Sequence, residues 1–183
     1  MKSTKLTYRL LITVLFVSMT TIAQSTYKTT KGIITFNAST PLENINPTNS
    51  KVNGILKDDG AFGVVMLIKE FEFSNKLMQE HFNENYMESE KYPKAYFSGK
   101  IKNLNLEELD KSTKEYQVEG KITIHNVTRP LSAVIKLSRE QGGIKASSAF
   151  TLLTKDFDIK IPKIVFTKIA EEVAVQINLI LEE

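Results

Sequence analysis

Apolar and polar residues alternate along most of this chain with a period of two, the mark of strands that bury one face. In EYQVEGKITIHN, Tyr116, Val118, Gly120, Ile122 and Ile124 share one face, while Gln117, Glu119, Lys121, Thr123 and His125 take the other. EEVAVQINLILEE repeats the pattern, with Val173, Val175, Ile177, Leu179 and Leu181 alternating with Ala174, Gln176, Asn178 and Ile180. Read this way, the chain predicts about eight strands, near 31–39, 51–58, 61–72, 94–104, 115–125, 128–139, 143–153 and 171–181. Asp58-Asp59-Gly60 and Gln141-Gly142-Gly143 are hairpin turn signals, and His125-Asn126 is another because Asn tolerates positive φ.

One segment follows a different period. SNKLMQEHFNENYME places Leu77, Met78, His81, Phe82, Asn85 and Tyr86 close to the spacing of one helical face, with Ser74 or Asn75 available as a cap. The expected architecture is all-β, an eight-stranded antiparallel lipocalin-like barrel with one short α-helix. Closure is the economical solution because it leaves no open sheet edge.

An eight-stranded barrel is just wide enough for side chains to fill it or for one slender ligand to enter. The faces read as inward carry Gly99, Gly120, Ala133, Ala146 and Ser148 among Phe97, Ile122, Ile135, Phe150 and the valines of the last strand, Val173 and Val175. Small residues at several levels leave room, and the larger ones keep the lumen apolar. Glycine in a strand also marks sharp bends at barrel corners with no ligand implied. Periodicity alone leaves a filled and a hollow interior both open.

The N-terminus reads as a leader. Lys2, Lys5 and Arg9 precede the apolar run LLITVLFV, and Thr21-Ile22-Ala23 supplies small residues at a cleavage site, so a signal peptide over 1–23 and a single domain over 24–183 are expected. The apolar run is shorter than the roughly 20 residues a spanning helix needs. Of 24 basic and 21 acidic residues, three basic ones lie in the leader, which leaves the remainder formally neutral. That balance excludes a sequence-independent grip on nucleic acid. Cysteine is absent, so neither disulfides nor a lipidated cysteine take part.

The polar candidates centre on His81, with Glu84 and Glu88 on the same helical stripe. Metal sites usually want several nitrogen or sulfur donors, and the only other histidine, His125, lies far along the chain in a turn. A structural role for His81 is therefore the expectation, with no metal and no cofactor. Glu80, Glu84, Glu88 and Glu90 sit among Asn83, Asn85 and Lys91, a solvated mixture rather than an acid–base pair. No nucleophile elbow or phosphate-binding glycine loop is present, so no catalytic residue is assigned. Arg129 is read as pairing with a carboxylate at the barrel rim, with a lipid headgroup as its other option.

HFNENYM, KYPKAYFSGKI and YQVEGKITIHNVTRPL together resemble the YceI-like family of exported bacterial proteins. Pro93, Phe97 and Ser98 stand in that family's strand pattern, and Tyr116, Val118, Gly120, Thr123, Ile124, Val127, Thr128 and Arg129 match its hairpin pattern. The resemblance covers most of the chain after the leader. It implies a lipocalin-like barrel whose lumen takes a long polyisoprenoid, a quinone-type molecule or a similar amphiphile. It also implies a periplasmic or secreted lipid-binding protein rather than an enzyme.

Three departures bear on the ligand. YKTTKGIITFNAST stands where many members carry an Asp and a His-Ser element, Asn126 replaces the turn glycine, and Gln79-Glu80 replaces an Arg-Asp pair.

The lumen candidates are Phe71, Phe73, Phe82, Tyr86, Phe97, Ile122, Ile135, Phe150, Val175 and Ile177, with His81, Pro93, Gly120 and Arg129 as structural motif residues. His81 is expected to order the junction between the helix and the strand that follows. Two other readings stand beside a carrier with transient membrane contact. One is a lipid-modifying enzyme using His81 with Glu84 or Glu88. The other is a filled-core protein that meets a membrane partner through Val134, Leu153 and Ile180.

Overall fold

The computed structural model describes residues 25–161 and 169–183, so the leader expected over 1–23 lies outside the described residues. Eight strands run in chain order: β1 Thr26–Asn37, β2 Thr48–Lys57, β3 Ala61–Leu67, β4 Lys94–Ile101, β5 Lys114–Ile124, β6 Val127–Glu140, β7 Gly143–Leu153 and β8 Glu172–Glu182. Each pairs antiparallel with the next, and β8 returns to β1, so the sheet closes into an up-and-down barrel. The all-β barrel expected from the alternation is the fold observed.

The hairpins form where the turn chemistry places them. Gly60 and Gly142 adopt φ values of 83° and 81°, and His125 and Asn126 take 51° and 62°. Paired positive values are what a tight two-residue hairpin requires, which is why Asn126 can replace a glycine there. Across that turn Thr123 Oγ1 and Thr128 Oγ1 lie 2.8 Å apart and share a hydrogen bond.

Strand boundaries differ from the expectation in two informative places. β3 stops at Leu67 rather than near 72, because the chain bends through a 3₁₀ turn at Ile68–Glu70. Ile68 N–H donates to Pro93 O (2.9 Å), and the fully buried Asn49 donates its amide to Leu67 O (2.9 Å) while accepting from Lys51 N–H. These bonds satisfy a buried polar side chain and pull the chain out of the sheet. Phe71 and Phe73 consequently lie on a return segment at the barrel end, not in a strand. β1 begins at Thr26, earlier than the alternation suggested, with register shifts around Gly32.

The single helix, α1, spans Lys76–His81 and widens into a π-type turn over Phe82–Tyr86. Asn75 is its cap, accepting from Leu77 N–H (2.9 Å) and Met78 N–H (3.3 Å). None of its residues is fully buried. Among the described residues no helix is long and apolar enough to cross a membrane.

The strand directions define two ends. The tight turns at 58–60 and 141–142 and the 102–113 connection lie at one end. The longer connections 38–47 and 68–93, and the segments 154–161 and 169–171, lie at the other, with the 125–126 hairpin. The first end is solid. Leu56, Ile101, Leu137, Ile144, Leu179, Leu181 and Val52 are all less than 2% exposed, and Leu106 and Leu109 from the 102–113 connection join the same cluster. Arg139 fastens that connection, donating from Nη1 to Tyr27 Oη (3.1 Å) and from Nη2 to Leu106 O (2.7 Å). Its backbone N–H also donates to Asp110 O (2.6 Å).

The inward glycines do not create free space. Gly99 and Gly120 face each other across β4 and β5. A methyl group added to either would lie 2.6 or 2.7 Å from Cζ of Phe97, whose ring covers both. They permit a close approach of the two strands, the bending role of strand glycine, and an aromatic ring fills the gap. Ala146 is likewise buried in the solid half.

Candidate ligand cavity

The other half of the barrel is hollow. A cavity of about 480 Å³ runs from the middle of the barrel to the end that carries α1. Its size falls within the range of small-molecule pockets. The strand walls are Ile34, Phe36, Phe62, Val64, Met66, Phe97, Val118, Ile122, Ala133, Ile135, Phe150, Leu152, Val173, Val175 and Ile177. At the mouth the lining passes to α1 and the long connections, including Leu77, Met78, Phe82, Tyr86, Phe157 and Ile159.

Polar lining residues gather at the rim. Glu43, Asn75, His81 and Thr154 come from the mouth segments. Deeper, Ser148 is polar, but its Oγ donates to Val134 O (2.6 Å) and is spent within the sheet. Burial pushes the Tyr86 hydroxyl above its ordinary value of 10.0, which keeps it a neutral hydrogen-bonding group at the mouth. The wall therefore offers an apolar chain a continuous surface and offers a polar molecule almost nothing.

Four phenylalanines build one side of the mouth. Phe36 of β1 meets Phe71, Phe73 and Phe82 at centroid distances of 5.1, 6.1 and 5.6 Å. Phe82 meets Phe71 at 5.7 Å and Phe73 at 5.0 Å. These separations suit edge-on and offset contacts between rings. The four rings pack on one another as a cluster on the lining. Phe73 N–H donates to Gln79 Oε1 (3.2 Å), which ties the return segment to the helix.

All the lumen candidates from Phe71 to Ile177 lie on this lining. Missing from that set are Ile34, Phe36, Phe62, Val64 and Leu152, while Val173 is already inward on the alternation with the other valine of the last strand. The β1 members were obscured because Ile33-Ile34 puts an apolar side chain on each face, Ile33 43% exposed and Ile34 6%. Leu153, expected on the outer surface, is half-buried at the cavity mouth, whereas Val134 and Ile180 are exposed.

The polar motif residues are distributed differently from the expectation. His81 is exposed at the rim and makes no side-chain hydrogen bond among the described residues. The junction between helix and strand is held by His125 instead. Its Nδ1 is in hydrogen-bond contact with Phe157 O (3.1 Å), its Nε2 with Glu88 Oε1 (3.1 Å), and Tyr92 stacks edge-on at 4.5 Å. The His125 hydrogen bond, backed by the Lys91 ammonium, holds the Glu88 carboxyl below its ordinary value. Glu88 is thus committed to His125 and Lys91 rather than to His81.

Arg129 donates from Nε to the backbone carbonyl of Asp156 (2.8 Å), so its partner is a carbonyl and not the carboxylate expected. It steadies the 3₁₀ turn at Thr154–Phe157, part of the cavity rim. Pro93 supplies the carbonyl that receives Ile68 N–H. No cluster of His, Cys, Asp or Glu that could hold a metal ion occurs among the described residues.

Comparison with known proteins agrees with this architecture. A polyisoprenoid-binding domain from Saccharophagus degradans superposes with a TM-score of 0.76 at 12% identity, covering 86% of this chain and 97% of that one. BcnA from Burkholderia cenocepacia gives 0.70 at 13% identity, with coverage of 84% and 97%. The YCEI protein of Campylobacter jejuni gives 0.51 at 15% identity over 67% of this chain and 73% of its own. At these identities the likeness is one of fold. No curated protein sequence matches the chain. The YceI-like domain family matches residues 13–181, nearly the whole length, and with the hairpin, helix and barrel in place the chain belongs to the YceI-like family.

Proposed function

We propose that this protein is an exported carrier that holds an isoprenoid-like or quinone-type amphiphile with its tail in the hollow half of the barrel. The observation that carries this reading is the cavity itself, about 480 Å³ of apolar space opening at one end only. Each buried methylene is worth about 0.8 kcal/mol, so a chain that is nearly insoluble in water gains strongly on entry. The polyisoprenoid binding of the Saccharophagus degradans relative supports the same ligand class. Binding, not catalysis, is the role proposed.

The leader read over 1–23 supports export to the periplasm or beyond. Exposed Leu42 and Leu77, at 69% and 58%, stand on the two connections beside the mouth and suit transient contact with a membrane during loading. The test is to purify the protein from its native host and analyse its organic extract by mass spectrometry. N-terminal sequencing of the same sample reads the cleavage site. A prenyl lipid in stoichiometric amount is the expected result. A consistently empty protein that also fails to take up prenyl lipids in vitro would overturn the reading.

A further inference from the structure

The open end of the cavity continues down one wall of the barrel. β6 pairs with β5 as far as Val127↔Ile124, and β7 pairs with β8 as far as Leu153↔Glu172, so both strands run to the rim. Their pairing with each other stops at Ile135↔Ser148, about halfway along. Continued in register, Val134 to Pro130 would face Ala149 to Leu153, yet none of these residues is paired across that edge. At about 3.4 Å per residue the unpaired stretch is roughly 15 Å long. β2 and β3 also part below the rim, after Asn53↔Val65, but there the Asn49 amide bridges to Leu67 O.

The sequence accounts for the split. A residue in an antiparallel strand bonds through its backbone to one neighbour only. The β5–β6 ladder is unbroken at Lys121↔Pro130, so the N–H that the proline lacks is one owed to β7. Two hydrogen bonds frame the gap. At its foot Ser148 Oγ donates to Val134 O (2.6 Å), and at the rim Arg129 Nε donates to Asp156 O (2.8 Å) in the turn that follows β7. The opening is therefore bounded at both ends.

The cavity lies directly behind it. Leu131 and Ala133 of β6 and Phe150 and Leu152 of β7 flank the gap on the cavity lining, and none of them is fully buried. Phe62 and Val64 of β3 and Val118 and Ile122 of β5 line the same cavity and are 9% exposed or less. On the outside, Ser132, Val134, Ala149 and Thr151 border the gap, exposed and uncharged.

Resting on the carrier reading above, we propose that the gap between β6 and β7 is a side portal through which the apolar tail enters lengthwise. A tail that passes along the gap exchanges water for apolar wall over much of its length at once, instead of threading in from its tip. The uncharged border matters because a charged side chain there would have to give up its water as the tail passed.

The experiment bars the gap. The chain has no cysteine, so Ser132→Cys with Thr151→Cys puts the only two thiols on its opposite sides, both at exposed positions. A short bismaleimide links them, and mass spectrometry confirms the bridge. The control is Thr151→Cys with Ala174→Cys, which carries the same bridge over the intact pairing of β7 with β8. Stopped-flow fluorescence follows uptake and release of dansyl-tagged farnesol by delipidated protein. The bar across the gap should slow both rates at least about tenfold while Kd stays within about threefold, because a portal alters the path and not the bound state. The control should exchange at the wild-type rate. If the probe does not bind the wild-type protein, the carrier reading and the portal fall together. If it binds but the barred protein exchanges as fast as wild type, or the control slows equally, the portal alone falls.

Discussion

The two halves of this barrel share the same strands and the same alternating pattern, yet one is solid and the other hollow. Residue size does not explain the difference. The hollow half carries the bulkier side chains, including Phe36, Phe62, Phe97 and Phe150, while the solid half is built of Leu, Ile and Val. The solid half is filled from its end. The 102–113 connection brings Leu106 and Leu109 into the core, Arg139 holds it there, and Leu179 packs over Gly32 and Gly54 of the neighbouring β1 and β2. At the hollow end the aromatic rings pack on each other, and among the described residues the cavity stays open beside them. A cavity in a small barrel thus depends on what the loops deliver to its interior.

That contrast can be tested first by truncation. Leu181→Ala, at a fully buried site of the solid half, should lose about 2–5 kcal/mol in urea unfolding. Phe150→Ala, on the cavity wall and only partly buried, should lose roughly 1 kcal/mol because its far side already faces a void. Equal losses would mean that the hollow half is packed in solution.

The next largest effect concerns the latch. Arg139→Ala removes two charge-assisted hydrogen bonds and should cost about 2 kcal/mol. Hydrogen exchange should show the 102–113 amides opening first, while the mouth stays unchanged. At the mouth, Asn75→Ala removes the helix cap and should cost about 1 kcal/mol, with weaker ligand retention as the readout that a purely global effect would not give. Asn75→Asp should restore both.

The smallest effect is pH-dependent. The Glu88 carboxyl sits below its ordinary value of 4.5 because His125 hydrogen-bonds to it. A depressed carboxyl stabilises the fold above its unfolded value, and that contribution disappears as pH falls through the lower folded value. From about pH 5 to about pH 3 the thermal midpoint of the native protein should therefore drop more than that of Glu88→Gln. Parallel curves would show that the His125 contact contributes nothing to stability at the mouth.

Much of this was legible in the chain. The period of two placed eight strands, and the hairpin signals at Gly60, Asn126 and Gly142 were met by the positive φ values observed. The helical face of Leu77, Met78, Phe82 and Tyr86 was readable because its spacing breaks the strand period. What was not legible required three dimensions. Gly99 and Gly120 looked like room for a guest, but the direction of the Phe97 ring decides that, and it covers them. His81 drew attention through its glutamate neighbours in sequence. The histidine that takes Glu88 is 37 residues further on, across a hairpin that closes only in the barrel.

The order of the strands carries a last consequence. Seven of the eight pairings join segments adjacent along the polypeptide, and only β1 with β8 unites the two ends of the domain. Local hairpins require short loop closures, whereas that single seam carries nearly the full conformational cost of bringing distant segments together. The ring is therefore least secure at its suture. Trimming either terminal strand should unzip the cylinder there and expose two unpaired edges, turning a self-contained vessel into a template for aggregation.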